Sequence, residues 1–386
     1  TLKYVHAGYI NSGALLPDQT VLDAAVEYRI VEGRLSDITV TGNEYLRSDY
    51  VAERLALGGA APLNVNTLQD RLQILLQGPF IERINGAPGD RPGEARLRAQ
   101  VMEGPRSVFS ATVDNDISPS LGEARVALRG QWFSPSGRGD ILGWDLAYAS
   151  GYRKIGANYG IPIRADDTTL DIFAEASRAE VVEKPLNALD IQSRAHTIGL
   201  RVSHPVLHTA REQLTLSAGF DVRQSASELL GTGFAFSPGV EPDGKSKVSV
   251  FRFVQDYVGR DNTQVTAGRS TFSVGVGAFG ATDEGKGLPN GKFVSWLGQF
   301  QHARRLGKTD SQLVLRFDAQ LTNKPLLPLE QFSVGGMRTV RGFRTNQLVR
   351  DQGYAASVEL RVPLVRTADG AALLQVAPFI DMGGAW

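Results

Sequence analysis

From Arg106 to Trp386 the chain alternates apolar and polar residues in run after run, and this periodicity restricts the fold more than any other feature. Ile198, Leu200 and Val202 alternate with Gly199, Arg201 and Ser203; Leu214, Leu216, Ala218, Phe220 and Val222 alternate with Thr215, Ser217, Gly219, Asp221 and Arg223. The pattern recurs in Leu313, Leu315, Phe317, Ala319 and Leu321 against Val314, Arg316, Asp318 and Gln320, and in Val358, Leu360, Val362 and Leu364 against Ser357, Glu359 and Arg361. Successive residues of a strand point to opposite faces, so each run builds a sheet with one apolar and one charged face. A soluble sandwich and a membrane β-barrel both satisfy that pattern. Run length separates them: many runs reach ten residues or more, where soluble strands average about five or six. They continue to the last residue without a credible helix, joined by tight turns such as Ile163 to Thr168 and by longer polar loops such as Gly231 to Lys247. Tight turns on one rim and long loops on the other describe an outer-membrane barrel. Roughly thirteen strands are expected, and because single-chain bacterial barrels close with an even number, the C-terminus reads as cut short of ~16 strands.

Ahead of Arg106 the texture differs. Residues 1–33 read as the tail of a small α/β unit, opening in strand-like sequence at Thr1-Leu2-Lys3-Tyr4 with no signal peptide, so that the N-terminus also reads as cut. Ala25 to Val31 alternates like a strand and ends on Glu32-Gly33. Residues 34–104 form a complete unit. Ile38 to Val40 is a strand; Ser48-Asp49 starts a helix with Tyr50, Val51, Leu55 and Leu57 on one stripe; Asn66 or Thr67 caps a second helix carrying Leu68, Leu72, Leu75 and Leu76. Two strands, Phe80 to Ile84 and Ala95 to Val101, flank a Pro-Gly-rich turn from Asn85 to Gly93. This β-α-α-β-β order suits two helices on a small mixed sheet.

Composition removes several function classes. The 386 residues carry 41 basic and 41 acidic side chains, which argues against nucleic acid as a partner. Zero cysteines exclude disulfides, thiolate metal sites and cysteine nucleophiles. No apolar run approaches the ~20 residues of a membrane-spanning helix, which leaves membrane strands untouched. Gly275 to Gly280 fits a dinucleotide fingerprint on paper, but no helix or βαβ unit follows it. His204 and His208 lack a third metal ligand, and Asp166-Asp167 reads as a turn. No enzymatic activity, cofactor or metal is expected.

One loop stands out. Gly335-Gly336-Met337-Arg338-Thr339-Val340-Arg341-Gly342-Phe343 places a permanent cation beside glycines and an aromatic ring in a long connection, about 322–353. A confined Arg requires a carboxylate. Asp381 interrupts the apolar strand Phe379-Ile380-Asp381-Met382-Gly383, where Gly383 permits close approach of another backbone. Arg341 is therefore paired with Asp381, with Gly342 giving the loop tip its freedom and Phe343 serving as an apolar foot against the wall.

These residues resemble the TpsB-type transporters of two-partner secretion, in the superfamily that joins periplasmic POTRA domains to an outer-membrane β-barrel. The likeness rests on Gly8-Tyr9-Ile10, Leu16-Pro17-Asp18-Gln19 and Val31-Glu32-Gly33-Arg34 for the end of a first POTRA domain, and on Pro62-Leu63-Asn64 with Leu68 to Leu76 for a second. It continues in Gly139-Asp140, in Val340-Arg341-Gly342-Phe343 and in Phe379 to Gly383. The resemblance implies a mainly β fold in which POTRA units at 1–33 and 34–104 precede a barrel at 105–386. It further implies a monomer that exports an unfolded partner exoprotein without nucleotide, recognising its N-terminal secretion domain in the periplasm, with lipid around the barrel. In the family the loop Arg pairs with the Asp of the late strand, which carries over to Arg341 and Asp381. Partner capture by strand addition is assigned to an edge formed by Phe80, Ile81, Arg83 and Ile84, with Leu72 and Leu76 on the groove wall. Arg201, Asp221, Arg223, Arg316, Asp318, Glu359 and Arg361 are expected to line the lumen. The alternatives are an assembly insertase of the same superfamily, a porin or surface receptor, and a soluble all-β protein.

Overall fold

The computed structural model describes residues 2–19, 25–87, 93–283, 285, 287–307, 311–367 and 371–386. It opens with helix α1 (Leu2–His6) and two paired strands, β1 (Gly13–Leu15) and β2 (Arg29–Val31). The first residues are thus helical rather than extended. The Ala7 N–H reaches the carbonyls of Lys3 and Tyr4, and Tyr4 meets Tyr9 edge-on with ring centroids 6.2 Å apart. The strand expected over 25–31 contracts to the three residues that β1 can pair.

Strand β3 (Arg34–Thr41), helices α2 (Ser48–Ala56) and α3 (Val65–Gln77), and strands β4 (Ile81–Ala87) and β5 (Glu94–Glu103) follow in the order read from the sequence. Helix α3 is capped by Asn64, whose side chain accepts from the Asn66 N–H, so the helix starts earlier than expected. Leu57 lies beyond the end of α2 and is exposed; the buried face holds Tyr50, Val51, Arg54 and Leu55 instead. The turn expected between β4 and β5 falls partly on 88–92, outside the described residues. Strand order is β3-β5-β4, with β3 parallel and β4 antiparallel to β5, which puts β4 at an edge.

The core of this unit joins Val51, Leu55, Leu68, Leu75, Ile84, Leu97 and Val101, each worth about 1.5–3 kcal/mol on full burial if as large as Val or Leu. It also takes in Phe133 from the large sheet. Phe80 stands between Tyr50 and Phe133, edge-on to both at 5.8 and 6.1 Å. The Arg47 N–H donates to Gly137 O at 2.8 Å. Buried Arg54 lies over the Tyr50 ring at 3.8 Å and donates to Asp167 at 2.8 Å. Burial pushes the Tyr50 phenol up to about 12, so this ring stays neutral in the joint.

Beyond the joint come β6 (Ser107–Asp114), β7 (Arg125–Phe133), β8 (Ile141–Ala149), β9 (Tyr152–Pro162), β10 (Thr169–Glu180), β11 (Gln192–His208) and β12 (Glu212–Leu229). After them come β13 (Thr232–Gly233), β14 (Lys245–Arg260), β15 (Gln264–Val276), β16 (Val294–Leu306), β17 (Ser311–Thr322), β18 (Phe332–Val334), β19 (Leu348–Arg350), β20 (Gly353–Arg366), β21 (Ala372–Val376) and β22 (Phe379–Ala385). All but β18 and β19 form one 15-stranded sheet. With β21 and β22 counted as one passage along β20, and the two-residue β13 set aside, thirteen strands run as sequential antiparallel neighbours from β6 to β22. Among the described residues no ladder joins β6 to β22. Strand β12 has 18 residues, more than the ~9–11 that cross a bilayer. No described helix is long and apolar enough to do so.

The register separates two faces. One row runs Asp171, Arg201, Gly219, Arg252, Ser273, Ser295 and Thr322; the row beside it runs Ile172, Leu200, Phe220, Phe251, Val274 and Val294. Ile172, Leu200 and Phe251 are each at least half exposed. A sandwich would bury that row against a second sheet, whereas here it faces outward and the charged row faces the loop, as a lipid-facing barrel wall requires. The short turns share one rim with the small α/β unit.

Gly139 (φ +73°) closes the joint: a Cβ there would lie 2.2 Å from Tyr50 Cε2. Gly231 (φ +75°) has open space around it and serves as a control for backbone strain alone. Gly139→Ala is expected to speed tryptic cleavage after Arg106 several-fold in detergent, while Gly231→Ala leaves it unchanged. Equal cleavage in the two variants would remove this contact from the joint.

Candidate functional site

The connection between β17 and β20 folds back across the polar face, and its stem is built first. Leu326 and Leu327 are buried against Val248, Val250 and Phe293. Glu330 then meets Arg252 at 2.8 Å and Arg223 at 3.4 Å, and the same two arginines grip Asp221 at 2.7 and 2.9 Å. The Asp221 and Glu330 side chains are only 4% and 5% exposed. Two shielded carboxylates between two guanidinium groups are balanced; removing either cation would leave a buried charge unpaired. Gln320 adds bonds to the Glu330 and Asp351 carbonyls at 2.9 and 3.0 Å.

Strands β18 and β19 pair as a hairpin inside the loop. Gly335 and Gly336 turn the chain at φ +114° and +95°. Val340 packs with Phe332 and Val334, directly over Gly383, where a Cβ would sit 2.8 Å from Val334 and 2.9 Å from Val340. The small residue in the late strand is what lets the loop touch the wall.

Arg341 follows Val340 into the site. Its backbone N–H donates to Asp381 Oδ2 at 3.0 Å, its Nε to the same oxygen at 2.7 Å, and Nη2 to Asp381 Oδ1 at 2.8 Å. Nη2 also donates to Ser357 Oγ at 3.0 Å, and Nη1 to Glu359. Glu359 receives Arg361 on its other oxygen at 2.7 Å. The Arg341 guanidinium covers the Phe379 ring at 3.5 Å. Strand register explains the convergence: Ser357 lies opposite Asp381, and Glu359 opposite Phe379. Asp381 is 3% exposed and Glu359 10%. A bidentate, ring-stacked cation in this setting calls for Arg, since Lys offers a point charge without the fork. No bond-making chemistry follows from this arrangement; it fixes the position of a loop.

The other expected residues sort themselves around that lock. Gly342 has φ +87° with nothing within 4 Å of its Cβ position. Phe343 does not act as an apolar foot: past the Gly342 turn it is 59% exposed, and the aromatic beside Arg341 is Phe379. Arg201, Asp221, Arg223, Arg316, Asp318, Glu359 and Arg361 all lie on the polar face, with Arg316 opposite Ser357 and Asp318 opposite Ala355. Asp221, Arg223 and Glu359, however, grip the loop, and Arg361 supports Glu359.

In the small unit, Phe80, Ile81 and Ile84 point into the core, and Arg83 is exposed on edge strand β4. Leu76 is exposed. Leu72 lines an apolar cavity of about 360 Å³ with Leu35, Leu63, Leu68 and Leu97, which opens beside β3 rather than β4. Sequence reading missed Glu330, Arg252 and Ser357. Glu330 carried a usable signal, a carboxylate closing the apolar run Leu326-Leu327-Pro328-Leu329, the same signal that singled out Asp381.

Residues 93–386 match the family described as haemolysin secretion/activation protein ShlB/FhaC/HecB. The chain is similar to the heme/hemopexin transporter protein HuxB of Haemophilus influenzae, at 22% identity over 93% of this chain and 64% of that protein. It is also similar to the outer membrane transporter CdiB-2 of Burkholderia pseudomallei, at 22% identity over 98% of this chain and 65% of the relative. It thus spans about 64% of the length of the curated relatives it matches. Among solved structures, CdiB from Escherichia coli aligns with a TM-score of 0.76 at 21% identity, covering 95% of this chain and 68% of that one. BamA from Haemophilus ducreyi lacking POTRA domains 1–3 aligns with a TM-score of 0.62 at 12% identity, covering 98% and 78%. At these identities the two structures establish the fold alone, a β-barrel.

Gly383→Val is expected to unseat the loop through overpacking against Val334 and Val340, at a cost of about 1–3 kcal/mol. Trypsin should then cleave within 338–344 several-fold faster than in wild type. Unchanged resistance would place the loop elsewhere.

Proposed function

The chain belongs to the haemolysin secretion/activation family ShlB/FhaC/HecB, and from that membership we propose that the complete protein is the outer-membrane transporter of a two-partner secretion system. Residues 1–33 and 34–104 act as the end of one POTRA domain and the whole of a second, both in the periplasm, and 105–386 form the greater part of a monomeric barrel in lipid. An unfolded partner exoprotein is captured through its N-terminal secretion domain and passes through the lumen without nucleotide hydrolysis. The observation that carries this reading is the seat of Arg341 on Asp381 and Glu359, which holds a 30-residue-scale connection (roughly 323–352) inside the wall instead of outside it.

Two further features support it. Strand β4 is an edge, and an extended segment can add to its free backbone groups while side chains at alternate positions find the small unit's surface. The polar wall carries both signs of charge, with Arg201 and Arg316 beside Asp171 and Asp318, so a passing chain of either sign meets no uniform trap. The likeness to BamA keeps an insertase in the same fold, but the family match favours secretion.

The deciding experiment is a charge exchange in the full-length protein. Arg341→Asp and Asp381→Arg are each expected to lower partner release from cells at least tenfold, and the double exchange to recover part of it. Normal secretion by both single variants would remove the loop from the mechanism. Capture is tested separately, since the chain has no native cysteine: Arg83→Cys should form a disulfide with single cysteines at alternate positions along an extended stretch of the secretion domain. A crosslinking pattern without period two would overturn strand addition.

A further inference from the structure

Arg341 has an arginine three residues before it and another three residues after it, and each of the three meets carboxylates on a different part of the wall. Arg338 donates to Asp116, in the connection between β6 and β7, at 3.2 Å. Arg344 donates to Glu183, in the connection between β10 and β11. Both connections lie on the rim opposite the small α/β unit. The flanking pairs differ from the central one in exposure. The Arg338 and Arg344 side chains are 75% and 62% exposed, against 19% for Arg341. The packing is also one-sided. Toward β20 and β22 the loop is seated on Gly383 through Val334 and Val340. Toward β7, β8 and β9 a cavity of about 460 Å³ separates Met337 and Arg338 from Arg129, Asp145 and Lys154.

We propose that Arg338 and Arg344 are positioning residues that hold the loop tip across the lumen in the resting transporter, as two releasable latches flanking the permanent Arg341 lock. Resting on the transporter reading above, this assignment gives the loop a hinge side and a free side. Arg341, more shielded than its neighbours and bonded to Asp381, Glu359 and Ser357, keeps the hinge closed. The exposed outer pairs are weak and screened by salt, so each alone shifts the closed state by about two- to five-fold. Asp116 is shared, because Arg125 lies 2.9 Å from Asp114 and 3.7 Å from Asp116, so Arg338 can leave without stranding a lone carboxylate. A passing chain therefore displaces two exposed contacts, one of which leaves its carboxylate a second partner, and the seat on β20 and β22 stays intact.

Conductance of the full-length protein in a planar lipid bilayer reads the loop directly and needs no partner protein. In 0.1 M KCl, Arg344→Glu and Arg338→Glu are each expected to raise the open fraction about two- to five-fold. Adding Glu183→Arg to the first, or Asp116→Arg to the second, should return it toward wild type. In 1 M KCl wild type should approach the single variants, which a purely structural effect would not produce. A second route avoids charge reversal: the pair Arg344→Cys and Glu183→Cys should lower the open fraction when oxidised and recover on reduction. Unaltered conductance in the single variants, exchanges without recovery, or an oxidised pair that opens like the reduced one would each overturn the latches. Failure of secretion by wild type would count against the transporter reading and leave these conductance outcomes standing.

Discussion

The structure depends on one constraint: every strand must present one face to lipid and the other to charge, and neighbouring strands must agree on which is which. Thirteen strands obey it in register, so a row of charged and small side chains runs beside a row of exposed aliphatic and aromatic ones. A one-residue slip in any ladder would send arginines into hydrocarbon. The same bookkeeping of faces creates the inner surface on which the seat of the loop is assembled. Arg252 and Asp221 are neighbours because their strands keep step, and so are Ser357 and Asp381.

On that surface, buried charge is tolerated only in closed sets. The stem of the loop carries two carboxylates and two guanidinium groups; the seat of its tip carries Asp381 and Glu359 with Arg341 and Arg361. Each set draws its members from different strands and from the loop, so neither is complete until the loop is in place. Buried ionic groups add little net stability compared with apolar packing, but they penalise wrong arrangements heavily. The loop position is therefore selected more by what alternatives would leave unpaired than by attraction alone. Gly383 makes the complementary contribution, by offering no side chain where Val340 comes to rest.

Much of this could be read from residues. The alternation announced the sheet and its two faces, the roughly thirteen strands, and the β-α-α-β-β unit ahead of them. An isolated Asp in the apolar run Phe379 to Gly383 and a permanent cation in a glycine-rich loop pointed at each other because each was out of place locally. What stayed hidden was whatever looked ordinary in its own segment. Arg252 sits in a strand whose alternation is normal, and its meaning comes from Glu330, 78 residues away. Phe343 looked like a wall contact by composition, but the left-handed turn at Gly342 carries it outward. The helix at Leu2–His6 has too few residues for a period to appear, and the cap at Asn64 competed with two equally suitable polar neighbours.

Phe133 ends a strand of the large sheet and is 5% exposed within the core of the small α/β unit, with Ile141, at the start of the next strand, packed against the same cluster. The two bracket a single tight turn that also holds Gly139 and the carbonyl that receives Arg47. The small α/β unit consequently has no slack of its own at this rim: it cannot pivot there without opening its hydrophobic centre. A pull on the unit is passed to the β7–β8 hairpin, whose inner side faces the free side of the loop, and through Arg54 and Gln77 to Asp167 and Ala210 in the next two turns of the same rim. The joint therefore ties the orientation of the small unit to the tilt of the strands beneath it, and neither can change alone.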